Sequence, residues 1–255
     1  MTPKPSRSYV ICTTPRSGST LLCKMLAATG CAGKPESYFH VPSFERWLEV
    51  FDFRETAFSS RQGALHAIFG AAIERGTTEN GIFGLRMQRG SFDYFRKQLS
   101  LVSSEPMNDV ARIETVFGST TFVHLSREDW IDQAISLLRA EQTGLWHRNA
   151  DGTELERRTH SNEPEYDAEA IARHVDDLTA LDSSWESWFQ SQELQPLRIT
   201  YDALSRDPQD VLSSVLSEIQ CDPGIAKTVA TPTAKLADSE SEEWKKRFVN
   251  EWKPN

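Results

Sequence analysis

The stretch that decides the fold is YVICTTPRSGSTLL, Tyr9 to Leu22. Tyr9 to Thr13 is a short apolar, β-branched run, the length of a buried strand. A Thr-Pro-Arg-Ser-Gly-Ser-Thr turn follows. From Ser19 to Thr29, STLLCKMLAAT, the residues Leu21, Leu22, Met25 and Leu26 recur at helical spacing, and Gly30 stands where such a helix would stop. A strand, a glycine-containing loop and a helix in that order open a parallel α/β fold. A loop that enters a helix N-terminus offers unpaired N–H groups to an anion, with the helix dipole behind them. Gly18 allows close backbone approach. Arg16 adds a fixed, planar positive charge, and Ser17, Ser19 and Thr20 add hydroxyls. The set suits a phosphate or a sulfate. A Walker A loop would read Gly-x-x-x-x-Gly-Lys-Ser/Thr. Here Thr13 stands for the first glycine and Ser19 for the lysine. Without that lysine, which reaches the β- and γ-phosphates, nucleoside triphosphate hydrolysis is disfavoured.

Outward from this loop the chain keeps alternating. Gly81 to Met87 (GIFGLRM), Thr120 to Leu125 (TTFVHL) and Leu197 to Tyr201 (LRITY) read as further strands. Val41 to Ala72 is helical and aromatic-rich, and Phe92 to Leu101 is a short helix. Longer helices are expected from about Asp129 to Gln142, from Tyr166 to Gln190 and from Asp207 to Ile219, the last with Pro208 in its first turn. Trp185, Trp188 and Phe189 fall at helical spacing and are assigned to the core. Residues 144–165 are polar and read as a lid-like loop or a plain insertion. Ser239 and Glu242 have the spacing of a capping box at a C-terminal helix. A second anion constellation lies in TFVHLSREDWIDQAIS. Arg127 follows the strand end, where ligands bind in parallel sheets, and Ser136 lies on the next helix.

Composition narrows the partners. The 255 residues suit one α/β domain, taken as 1–255. The net charge of −9 argues against a general nucleic-acid binder but not against a small anion held by a few arginines. No run approaches a membrane span, no His/Cys set has metal-ligand spacing, and no signal-peptide core is present, so the expectation is a metal-free cytoplasmic protein. Cys12 and Cys23 read as buried free thiols.

Both anion stretches, in this order, resemble sulfotransferases that use 3′-phosphoadenosine 5′-phosphosulfate (PAPS), and more closely the bacterial trehalose 2-sulfotransferase-like family. TPRSGSTLL looks like the family's 5′-phosphosulfate loop, ATGCAGKPESYF like the segment after it, and HLSREDWIDQAISLLRAEQTGLW like its 3′-phosphate segment. ITYDALSRDP and KLADSESEEWKKRF resemble its later strand and its C-terminal cofactor loop. The resemblance implies a central parallel sheet flanked by helices, in the sulfotransferase fold related to P-loop NTPases. It also implies PAPS as donor and adenosine 3′,5′-bisphosphate (PAP) as product, with a carbohydrate or glycolipid hydroxyl as acceptor, and a homodimer. It assigns Arg16, Ser17, Gly18, Ser19 and Thr20 to the 5′-phosphate, Arg127 and Ser136 to the 3′-phosphate, and Lys235 to the cofactor's vicinity. Arg16 would stabilise the leaving oxygen.

The departure is at the base. The family's glutamate falls at the second position after the proline, which here is Ser37, and Glu36 comes one residue early. On an extended segment that shift reverses the face. Glu36 and His40 are therefore alternative bases, and Glu36, Ser37 and Arg86 are the acceptor-side candidates. Two other readings stand beside the sulfotransferase: a P-loop small-molecule kinase, and a non-catalytic nucleotide-binding relative.

Overall fold

The computed structural model describes residues 4–102, 107–148, 153–157, 163–232 and 239–251. In chain order the elements are β1 (Arg7–Thr13), α1 (Ser19–Ala28), α2 (Phe44–Val50), α3 (Arg61–Gly76), β2 (Ile82–Gln88), α4 (Arg89–Val102), α5 (Asp109–Phe117) and β3 (Ser119–Ser126). Then come α6 (Trp130–Thr143), β4 (Leu145–Arg148), β5 (Glu154–Arg157), α7 (Ala168–Ser191), β6 (Leu197–Thr200), α8 (Tyr201–Arg206), α9 (Pro208–Glu218) and α10 (Ser239–Glu251).

The described residues form a parallel sheet in the order β2-β1-β3-β6, with a separate antiparallel pair β4-β5. β1 is central and buried on both faces, as a parallel strand between helical layers must be. Its side chains alternate: Val10 and Cys12 join an aromatic core with Phe39, Trp47, Phe69, Phe83 and Phe95, while Tyr9 and Ile11 join Leu22, Leu26, Leu212 and Leu216 on the other face. Trp185, Trp188 and Phe189 of α7 complete the aromatic core as expected. Upstream on the same helix, Ile171 and Leu178 pack with α6 and α10.

β1 is followed in the chain by β2 on one side, and β3 then pairs on the other side of β1. The direction of winding thus reverses between β1 and β3. In open α/β sheets a crevice opens outside the strand carboxyl ends at such a reversal. Thr13, Leu125 and Gln88 lie in register there.

Several elements differ from the sequence reading. Helix between 41 and 72 is split, because Asp52 at φ 57° and a 3₁₀ turn at Glu55–Ala57 interrupt it. α5 was not foreseen, and Tyr201 starts α8 rather than ending a strand, with the Thr200 side chain as its cap. The segment read as a polar loop at 144–165 contains the β4-β5 hairpin. Its pairing uses backbone groups, which a polar composition does not reveal. Ser239 is already inside α10, so it is not a cap residue, and the preceding residues 233–238 lie outside the described residues. Among the described residues, no helix is long and apolar enough to cross a membrane.

Candidate active site

The loop between β1 and α1 is pinned from three sides. Trp185 of α7 donates from Nε1 to the Thr13 carbonyl at 2.9 Å. Gln133 of α6, fully buried, donates to Thr14 Oγ1 at 3.0 Å and to the Pro15 carbonyl. Thr13 donates to the Leu125 carbonyl at 2.9 Å, so Ser17, hydrogen-bonded to Thr13 Oγ1, spends its own proton there. Ser17 thus serves the loop's shape, and only its N–H is left for a ligand. Arg16 and Gly18 both have positive φ, 63° and 83°. Left-handed residues alternating along a loop gather successive N–H groups into an anion-binding concavity. Gly18 is also the N-cap of α1, which has no side-chain cap and no acidic residue in its first turn. By contrast α2, α3, α5, α6, α7, α8 and α9 are each capped by a Ser, Thr, Asn or Asp side chain. The first N–H groups of α1 thus have no side-chain partner of that kind.

Two guanidiniums converge on this loop. Arg16, half-buried, donates from Nε to Ser136 Oγ at 3.0 Å and from Nη1 to the Trp146 carbonyl. Arg127, buried at the end of β3, approaches the Arg16 carbonyl at 3.5 Å and Asp132 at 3.5 Å, and stacks 4.4 Å over the Tyr201 ring. Its Nε is buried without a partner among the described residues, as is Gln133 Oε1. Burial first, and then the positive charge of Arg127, hold Arg16 down at about 10, with Tyr201 and Glu156 opposing. Arg16 has no ion-pair partner among the described residues, and an anion between the two guanidiniums would relieve both their repulsion and the unmet Arg127 donor. The structure therefore brings Arg16, Arg127 and Ser136 together. Ser136 does so through Arg16. Lys235 lies outside the described residues. Lys245 of α10, paired with Asp129 and 3.2 Å from Asp132, ties that helix to the start of α6 beside Arg127.

The other side of the loop is built on Thr20. Arg86 of β2 donates from Nη1 to Thr20 Oγ1 at 2.8 Å and from Nε to Ser37 Oγ at 2.7 Å. The segment carrying Ser37 lies along the outer edge of β2, where the Arg86 N–H donates to the Glu36 carbonyl at 3.1 Å. Glu36 is exposed, and its carboxylate makes no hydrogen bond or ion pair to a described residue. It is nevertheless close to Cys23, whose thiol burial pushes up to about 11, with Arg86 pulling the other way and Glu36 adding to the rise. His40 is exposed, and its carbonyl accepts from Ser91 Oγ. His147 of β4 lies 3.0 Å from Thr20 Oγ1. Among the described residues no group of three or more His, Cys, Asp or Glu is arranged to hold a metal ion.

The model of the Stf0 sulphotransferase family matches residues 8–251. The chain belongs to this family. As a Stf0 sulphotransferase it is an enzyme, a transferase of sulfuryl groups. It is 28% identical over 261 residues to trehalose 2-sulfotransferase of Mycobacterium tuberculosis, covering 95% of this chain and 94% of that one. It is 28% identical over 263 residues to trehalose 2-sulfotransferase of Mycolicibacterium smegmatis, covering 94% of each. A solved sulfotransferase from Alicyclobacillus acidocaldarius aligns at TM-score 0.45 and 14% identity, over 97% of this chain and 92% of that one. The sulfotransferase domain of the Synechococcus PCC 7002 olefin synthase aligns at TM-score 0.39 and 16% identity, over 98% of each.

For this sulphotransferase, two site neighbours escaped the sequence reading. Tyr201 carries the Arg127 guanidinium and closes over Gly18, whose added Cβ would stand 2.7 Å from the ring. Its place at the carboxyl end of β6 was a usable signal. His147 had only its place in the polar 144–165 segment read as lid-like, which does not single it out.

Proposed function

We propose that this enzyme moves the sulfuryl group of PAPS to a hydroxyl of a small carbohydrate, a disaccharide such as trehalose being the first acceptor to try. The observation that supports the donor is the convergence of two guanidiniums, Arg16 without an ion pair among the described residues and Arg127 with a buried unpartnered Nε, on an uncapped helix start. PAPS supplies an activated sulfate on a 5′-phosphate together with a separate 3′-phosphate. Arg16 and the backbone of Ser17, Gly18, Ser19 and Thr20 bind the 5′ end, and Arg16 faces the charge that develops on the leaving oxygen. Arg127 binds the 3′-phosphate, with Ser136 holding Arg16 in place. Arg86 and Ser37 line the acceptor side. The trehalose 2-sulfotransferase relatives support a sugar acceptor, and the four free cysteines suit a reducing, cytoplasmic setting.

The test compares PAP with ATP as stabilising ligands in thermal unfolding, and follows sulfate transfer from PAPS to trehalose and a panel of sugars. PAP is expected to raise the midpoint and ATP with Mg²⁺ to leave it nearly unchanged. Equal stabilisation by ATP, with turnover of ATP, would replace this reading with the kinase.

A further inference from the structure

Facing the phosphate loop, the β4-β5 hairpin presents an imidazole and a carboxylate that the reading above leaves without a role. His147 and Glu156 are cross-strand partners, with Glu156 Oε2 3.6 Å from His147 Nε2. The same Nε2 is 3.0 Å from Thr20 Oγ1. Thr20 Oγ1 already accepts from Arg86, and in the tautomer with the ring hydrogen on Nδ1 its own proton goes to Nε2. In that tautomer Nε2 is an acceptor aimed at the loop, with an anion at hand to stabilise the imidazolium. Both side chains are only partly buried, at 26% and 38% exposure, so a hydroxyl can reach Nε2 and take the place of Thr20's.

We propose that His147, supported by Glu156, accepts the proton of the attacking carbohydrate hydroxyl. The proposal rests on the sulfuryl-transfer reading. The acceptor oxygen forms a bond to sulfur, and the bond from sulfur to the bridging phosphate oxygen breaks with its electron pair going to the phosphate. The hydroxyl proton passes to His147 Nε2. This places the base on the hairpin rather than on the segment after α1. Ser37 there is engaged by Arg86, and the Glu36 carboxylate makes no hydrogen bond or ion pair to a described residue. An imidazole also has an ordinary pKa suited to proton transfer near neutrality.

The charges around His147 set its pH behaviour. Glu156 faces it from β5, Arg86 of β2 reaches it through Thr20, and Arg16 of the loop bonds the carbonyl of its neighbour Trp146. Glu156 is the carboxylate set against two guanidiniums, so its removal should make the imidazolium harder to form.

Wild type, His147→Gln and Glu156→Gln are compared in three measurements. These are PAP affinity by calorimetry, turnover of PAPS with trehalose from pH 5 to 9, and titration of the His147 Cε1–H resonance with PAP saturating. His147→Gln is expected to lower kcat by about 100-fold or more, to keep PAP affinity within about twofold, and to lose the acid limb of the profile. Glu156→Gln is expected to shift that limb, and the resonance midpoint, to lower pH. Turnover within threefold of wild type in His147→Gln, or an unchanged acid limb, overturns the proposal. So does a loss of PAP affinity in step with turnover, which would make His147 a phosphate ligand. A wild type that binds PAP but leaves trehalose unsulfated is decided by the resonance, where a midpoint indifferent to Glu156→Gln overturns the proposal. A wild type that does not bind PAP overturns the sulfuryl-transfer reading itself.

Discussion

Replacing Arg16 with Met separates what this guanidinium gives a ligand from what it costs the fold. Burial and Arg127 hold Arg16 at about 10, well below the ordinary arginine range. At 1.36 kcal/mol per pH unit, keeping it charged near neutrality costs the folded protein roughly 3 kcal/mol. Its two hydrogen bonds, to Ser136 and the Trp146 carbonyl, return about 1.5 kcal/mol each as charge-assisted bonds. The terms nearly cancel, and Met preserves the apolar stem. Arg16→Met should therefore change the ligand-free stability by less than about 1 kcal/mol, or roughly 2–4 °C in a chain of this size. With PAP the outcome is different. A lost charge-assisted contact of about 1.5–3 kcal/mol weakens binding roughly 10- to 150-fold. At a PAP concentration 100 times the wild-type Kd, wild type gains about 2.7 kcal/mol, some 5–10 °C. A variant weakened 100-fold gains only about 0.4 kcal/mol, close to 1 °C. Differential scanning fluorimetry with and without PAP reads both quantities. A ligand-free midpoint lowered by more than about 5 °C, or a PAP shift equal to wild type, would refute the reasoning.

Two further outcomes follow from particular contacts. Gly18→Ala puts a Cβ 2.7 Å from Tyr201 Cδ2 at φ +83° and so should cost at least the 1–2 kcal/mol of a left-handed alanine. By moving the ring under Arg127 it should also weaken PAP by about tenfold, equivalent to 1.4 kcal/mol; urea titration reads the stability loss, and an unchanged PAP affinity by calorimetry would contradict the link through Tyr201. Burial disfavours the Asp129 carboxylate, but Lys245 and the Asp132 amide outweigh that and hold it below the usual range. Its stabilising contribution is therefore complete above about pH 4 and lost as pH falls through its lower folded value. α10 should lose hydrogen-exchange protection in that acid window in wild type but show no such step in Lys245→Met, and equal protection in both across the window would contradict the link.

The alternation of β-branched runs and helical spacing was enough to read a parallel α/β fold and its first buried strand from the chain alone. The reason is local: a buried parallel strand must be apolar on both faces, and an amphipathic helix must repeat its apolar positions. The loop between β1 and α1 was legible for the same reason, since Arg16 to Thr20 are contiguous. Arg127 was legible because it directly follows a strand. What the sequence could not show was which groups meet across long separations. That Ser136 bonds Arg16 over 120 residues, that Arg86 bridges Thr20 and Ser37, and that Tyr201 lies under Arg127 all depend on how the layers pack. The hairpin at β4-β5 is held by backbone hydrogen bonds, which leave no pattern in a polar segment. So the sequence by itself determined the loop between β1 and α1 and the fold around it. The tertiary structure decided what surrounds Thr20, because His147, Thr20 and Arg86 come from three separate elements and only the folded chain brings them within hydrogen-bonding distance.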